Sequence, residues 1–149
     1  MYIRSRDSSF KLEVLGYEFP DSVDNDDLNW LTVKVECLDA GKKWGVSGCY
    51  LRTIELVELL EWLSCISEGE HCNNRLSFTE HEIAFEYNSD DAEFTVCLDF
   101  DCHPKGSQYS LDVDKEYRIN FAGNDKVLQK LLQSIVLTIE KFPVRNLSH

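Results

Sequence analysis

Apolar and polar residues alternate from Phe10 to Gly16, with Phe10, Leu12 and Val14 on one face. A period of two residues predicts a half-buried strand. Leu31, Val33, Val35 and Cys37 repeat the pattern against Thr32, Lys34 and Glu36 and predict a second strand. Asp39-Ala40-Gly41-Lys42 reads as a turn, and Trp44 to Leu51 as a third strand returning beside the second. The period then lengthens. Leu56, Leu59, Leu60, Leu63 and Ile66 recur at steps of three and four, predicting an amphipathic helix over residues 54–67. Thr53 is the expected N-cap, and Gly69 the expected stop.

Alternation resumes beyond that helix. Residues 75–79 form a short strand-like stretch. Ile83, Phe85 and Tyr87 point inward from one strand, and Phe94, Val96, Leu98 and Phe100 from the next, with Ser89 to Ala92 as the connecting turn. The odd positions from Tyr109 to Phe121 predict a last strand, which Asp114-Lys115-Glu116 threatens to break. Val127, Leu128, Leu131, Leu132, Ile135 and Ile139 mark a second helix over residues 124–141, capped by Gly123-Asn124 and stopped by Pro143. The order βββ-α-ββββ-α with hairpin links predicts one α+β domain over residues 1–149. Its antiparallel sheet has about six to seven strands, two helices cover one face, and residues 1–8 and 144–149 are loosely ordered. The 149 residues suffice for one hydrophobic core.

Charge changes this picture. Between Thr53 and Pro104 lie thirteen acids and one base, Arg75, whereas the rest of the chain holds fourteen of each. The net charge of −12 therefore comes from the middle third. Charge of one sign steers partners of the other sign, so a basic partner is expected. Helical periodicity is read as placing Glu55, Glu58 and Glu61 opposite the leucine stripe. Pairing of the 82–88 and 93–101 strands is read as placing Glu82, Glu86, Glu93, Asp99 and Asp101 on one outer surface. These eight acids are the candidate binding face. An acidic chain lacks the basic patch of a direct nucleic-acid binder. No apolar run is long enough for a membrane span, and the polar start shows no secretory signal. Six cysteines then suggest free thiols in a cytoplasm.

Candidate chemistry is sparse. The acidic Tyr17–Asn29 loop lacks the glycine and the spacing of a calcium loop. Asp99, Asp101 and His103 alternate with Cys97 nearby, and Cys65, His71 and Cys72 form a looser group, but neither has zinc-site spacing. No nucleophile elbow, phosphate loop or dinucleotide motif occurs. A metal-dependent or thiol enzyme near Asp99, Asp101, Cys102 and His103 is thus the alternative to a binding protein, and no cofactor or metal is expected. Trp30, Trp44 and Trp62 suit packing better than a ligand cage.

Several segments carry a likeness in order: Gly16-Tyr17-Glu18-Phe19-Pro20, then Asn29-Trp30-Leu31-Thr32-Val33, Trp44, Thr53-Ile54-Glu55-Leu56 and Glu61-Trp62-Leu63. Leu76-Ser77-Phe78-Thr79-Glu80 and Phe85-Glu86-Tyr87 follow. Together they resemble the WapI-type immunity proteins of bacteria, from about residue 10 to the final helix. The resemblance implies a small cytosolic protein that binds the C-terminal domain of a toxin encoded beside it and blocks it without chemistry. A basic nuclease domain is the partner that the charge distribution suits. The resemblance assigns no contact residues, and the oligomeric state stays open.

Overall fold

In the computed structural model, which describes residues 1–147, the alternating segments pair into two antiparallel sheets rather than one. The first sheet is formed by β1 (Tyr2–Arg4), β2 (Ser9–Tyr17), β3 (Trp30–Asp39) and β4 (Lys42–Arg52), neighbours in that order. Helix α1 (Thr53–Ser67) follows. The second sheet holds β5 (Arg75–Ser77), β6 (Ile83–Asn88), β7 (Glu93–Leu98) and β8 (Tyr117–Ala122), and α2 (Asp125–Lys141) closes the chain. The order is therefore α+β with eight strands. The added strand, β1, has three residues and one inward side chain, Ile3, too little for a periodic signal.

The predicted inward positions form the core. Phe10, Leu12, Val14, Leu31, Val33, Val35 and Cys37 are buried from the first sheet, and Ile83, Phe85, Phe94, Val96 and Leu98 from the second. One continuous apolar cluster includes these residues together with Leu56, Leu59 and Leu63 of α1 and Leu128, Leu131 and Ile135 of α2. Phe10 meets Phe85 edge-on at 5.9 Å, so the two sheets join through aromatic contact. Polar ties reinforce the joint: Trp44 Nε1 donates to the Cys102 carbonyl (3.0 Å) and the Tyr117 hydroxyl to Asp39 (2.5 Å).

Helix ends follow local chemistry. Arg52, not Thr53, occupies the N-cap of α1; its N–H donates to the Glu55 carboxylate at 2.8 Å, half of a capping box. At the other end Gly69 takes φ +69°, and the Gly69 and Glu70 amides return to the Ile66 and Cys65 carbonyls. This is a Schellman stop, which needs a residue free to be left-handed. Asn124 caps α2 by accepting from Val127 N–H at 3.0 Å. The strand expected from Tyr109 begins only at Tyr117, because residues 99–116 form two 3₁₀ turns and a loop pinned by Asp114 to Ser110 and Lys105.

Cys65 and Cys72 form a disulfide, where six free thiols were expected; Cys37, Cys49, Cys97 and Cys102 are free. Both ends of the described chain engage the fold. β1 pairs with β2. The Arg145 guanidinium donates to the carbonyls of Phe19, Pro20 and Leu28 and lies 3.9 Å from the Tyr17 ring centroid. Of the 144–149 segment expected to be loose, residues 148 and 149 lie outside the described residues.

Candidate partner-binding surface

The acids picked out by sequence separate into four environments. On α1, Glu58 and Glu61 are exposed, but Glu55 is only 2 % exposed and is not on the outer face. It precedes Leu59 and Trp62 by four and seven positions, which on a helix places it above the buried stripe rather than opposite it. Its carboxylate accepts from Arg52 N–H (2.8 Å) and Thr79 N–H (2.7 Å), and Arg52 Nη2 lies 3.5 Å away.

Glu86 on β6 belongs to a closed charge network. Arg75 of β5 donates to Glu86 (2.8 Å) and Glu116 (2.8 Å); Arg118 of β8 donates to the same two carboxylates. Hydrogen bonding from Arg118, then from Arg75, holds the Glu86 carboxyl well below its ordinary range, at about 2. Two carboxylates face two guanidiniums, so this part of the hairpin surface is neutral. Glu86, Cys97 and Glu116 bring their ligand atoms within 4.8 Å of one another, but the guanidiniums already supply the cations there. Glu93, opposite Asn88 at the hairpin end, is half-buried.

Asp99, Asp101 and His103 do not share a strand face. β7 ends at Leu98, and the chain turns through the 3₁₀ segment Phe100–Cys102 with Phe100 at φ +46°. Asp99 accepts from Phe100 N–H (3.0 Å) and the Tyr109 hydroxyl (2.6 Å). Buried His103 uses both ring nitrogens on backbone: one accepts from Lys105 N–H and the other donates to the Lys115 carbonyl, each at 3.1 Å. Burial pushes the thiols of Cys37 up to about 12 and of Cys97 to about 11, and that of Cys102 upward as well. Thiols held protonated are poor nucleophiles.

The fourth environment is a cleft between the two sheets, with a volume of about 430 Å³. Its floor comes from an irregularity in β4: Leu31 faces Leu51 and Thr32 faces Cys49, leaving Tyr50 as the extra residue of a bulge. Bulges re-aim side chains. The Tyr50 ring lies back over Gly48, where a Cβ would approach its Cζ to 2.5 Å, so only glycine leaves this space. The Tyr50 hydroxyl donates to Asp101 at 3.3 Å. Trp30, the exposed Phe19, Glu80 and Glu82 line it as well. Glu82 Oε2 is sealed from solvent and has no hydrogen-bond partner. Burial, and then the neighbouring Glu80 and Asp101, raise the Glu82 carboxyl above its ordinary value, against an opposing backbone hydrogen bond. Among the described residues, no ion pair neutralises Glu80, Glu82 or Asp101. Sequence reading put Glu82 and Asp101 on one outer hairpin surface, and it left Glu80 and Tyr50 out of the candidate face. The cleft draws on five separated segments, and a bulge leaves no periodic signal.

Comparison with known proteins gives three results. Residues 1–143 match the family described as the Immunity protein WapI-like family. No curated protein is significantly similar in sequence. Among solved structures, that of the plant transcriptional regulator PBF-2 superposes with a TM-score of 0.53 over 95 % of this chain and 80 % of its own, at 10 % identity, a likeness of fold alone.

Proposed function

Because the chain belongs to the WapI-like immunity protein family, we propose that it binds a cognate bacterial toxin domain and neutralises it through an acidic surface, without catalysis. The family match over residues 1–143 carries the reading. The charge distribution supports it independently, since thirteen of the 27 acids crowd one third of the chain beside a single base. Candidate contacts are Glu58, Glu61, Glu82, Glu93, Asp99 and Asp101. Glu86 is neutralised in place, and Glu55 is withdrawn because it is buried. A basic toxin domain, such as one that handles nucleic acid, is the partner this surface suits. Steering by opposite charge speeds capture, which matters when the ligand is lethal. The proposal places the protein in the bacterial cytoplasm. Four unpaired cysteines agree with a reducing compartment, and the Cys65–Cys72 bridge stands as the exception.

Co-expression with the toxin domain encoded beside this chain tests the reading. The expected result is survival, with a complex whose affinity falls as salt rises. If a domain shown to be lethal still kills, and no complex forms, the reading is overturned.

A further inference from the structure

We propose that the groove between the open edge of β2 and helix α2 receives an extended segment of a partner protein. The segment adds to the first sheet as a further strand, with an aliphatic residue at its centre and a carboxylate toward each end. β1 covers only part of β2. It pairs from Arg4 with Ser9 to Tyr2 with Lys11, and Met1 continues the ladder through two bonds of 2.9 Å to Leu12, one in each direction. Successive residues of an antiparallel strand turn their N–H and C=O groups to opposite neighbours. Leu12 turns to β1, so Glu13 turns to β3 and Val14 back to the open side. There the Val14 N–H and carbonyl have no partner among the described residues. The bulge at Leu15 interrupts the register with β3 directly afterwards. The Tyr17 and Phe142 rings, in edge contact at 5.8 Å, close the far end. One ladder position is thus open between two closed ones.

The wall facing that position selects the chemistry of the segment. Lys130, Gln133, Ser134, Leu137, Thr138 and Lys141 of α2 line a groove of about 530 Å³ beside the Leu12–Val14 edge. Steps of three, one, three, one and three residues make a single helical stripe. Leu137 lies within it and is 65 % exposed. The stripe begins and ends in lysine, and its ends stand about 16 Å apart along the helix axis. A strand of about five residues has the same reach. Neither lysine has an ion-pair partner among the described residues, whereas Glu13, the acid of the groove, has Lys11 at 3.8 Å. In a chain of net charge −12, this unpaired couple of cations suits a segment bearing carboxylates rather than a basic one. A residue opposite Val14 shares its face of the sheet, the face on which α2 lies. Its backbone completes the ladder at Val14 and its side chain meets Leu137, while the flanking carboxylates reach Lys130 and Lys141. The groove is separate from the acidic surface assigned to the toxin, and the proposal does not need that assignment.

The test is a titration of the isolated full chain with the peptide acetyl-Glu-Thr-Val-Thr-Glu-amide, followed through backbone amide resonances and hydrogen exchange. Shifts are expected to concentrate at Leu12–Val14 and Leu137, to saturate with a dissociation constant below about 3 mM, and to slow exchange of the Val14 amide. The same peptide N-methylated at its central valine loses a ladder bond and is expected to bind at least about fivefold more weakly. The double variant Lys130→Glu, Lys141→Glu is expected to weaken the parent peptide at least about threefold. The control Lys43→Glu, Lys115→Glu makes the same change in net charge outside the groove and is expected to cost less than about twofold at physiological salt. No shift at Leu12–Val14 with about 10 mM peptide overturns the proposal. So does equal binding of the N-methylated peptide, or tighter binding of acetyl-Lys-Thr-Val-Thr-Lys-amide. A dimer of the free protein that Leu137→Asp abolishes assigns the groove to a second copy of this chain and overturns it as well.

Discussion

Replacement of Glu55 by alanine gives the sharpest test of the buried architecture. Its carboxylate joins three elements: the end of β4 through Arg52 N–H at 2.8 Å, the start of α1 on which it sits, and the segment after β5 through Thr79 N–H at 2.7 Å. With the side chain 2 % exposed, water cannot readily replace it. Hydrogen bonds to a charged acceptor contribute about 1.5–3 kcal/mol each. Two such bonds, less some relaxation of exposed Arg52, make the loss about 3 kcal/mol. For a domain of this size that corresponds to a fall in Tm of about 6–12 °C. Urea unfolding of Glu55→Ala is expected to show a lower midpoint with an unchanged slope, while exposed Glu58→Ala stays within about 0.5 kcal/mol of wild type. A Glu55→Ala protein within 1 kcal/mol of wild type would refute the latch and return Glu55 to the candidate surface.

The Glu86 network yields a pH dependence. Arg118 and Arg75 lower the folded-state pKa to about 2, so this group stabilises the fold above the unfolded carboxylate range, and that stabilisation is lost as pH falls from about 4.5 toward 2. Arg118→Ala is expected to raise the Glu86 midpoint in a carboxyl-carbon NMR titration and to flatten the acid limb of the stability curve; an unmoved midpoint contradicts the assignment. The disulfide predicts a thiol count: denatured, unreduced protein should present four thiols to a colorimetric reagent and six after reduction. A bridge over a separation of seven residues contributes about 2.5 kcal/mol by loop closure, so a Cys65→Ser, Cys72→Ser variant should unfold correspondingly earlier. Six thiols before reduction would remove the bridge.

Periodicity carried most of the fold into the sequence reading. Phe10, Leu12 and Val14 alternate, and all three are buried; the Leu56–Leu59–Leu63 stripe is fully enclosed. Local chemistry likewise announced the Asn124 cap and the Gly69 stop. The division into two sheets was not legible, because which strands become neighbours depends on contacts such as Phe10 with Phe85, distant in sequence. The alternation from Tyr109 misled because its hydrophobic parity spans a loop held by Asp114. At the candidate surface, composition revealed the excess acid but not its compensation. Arg75 and Arg118 reach Glu86 only after β5 and β8 flank the β6–β7 hairpin.

The hold of Arg145 on the Phe19–Leu28 loop has a consequence for timing. Its partners lie 117 to 126 residues earlier in the chain. At about 5–20 residues per second of synthesis, that loop waits roughly 6–25 s for the side chain that fastens it. Phe19 stands in this loop and Trp30 just beyond it, so one wall of the cleft is among the last parts of the molecule to set. A nascent chain halted before Arg145 would carry most of its core yet lack a finished wall.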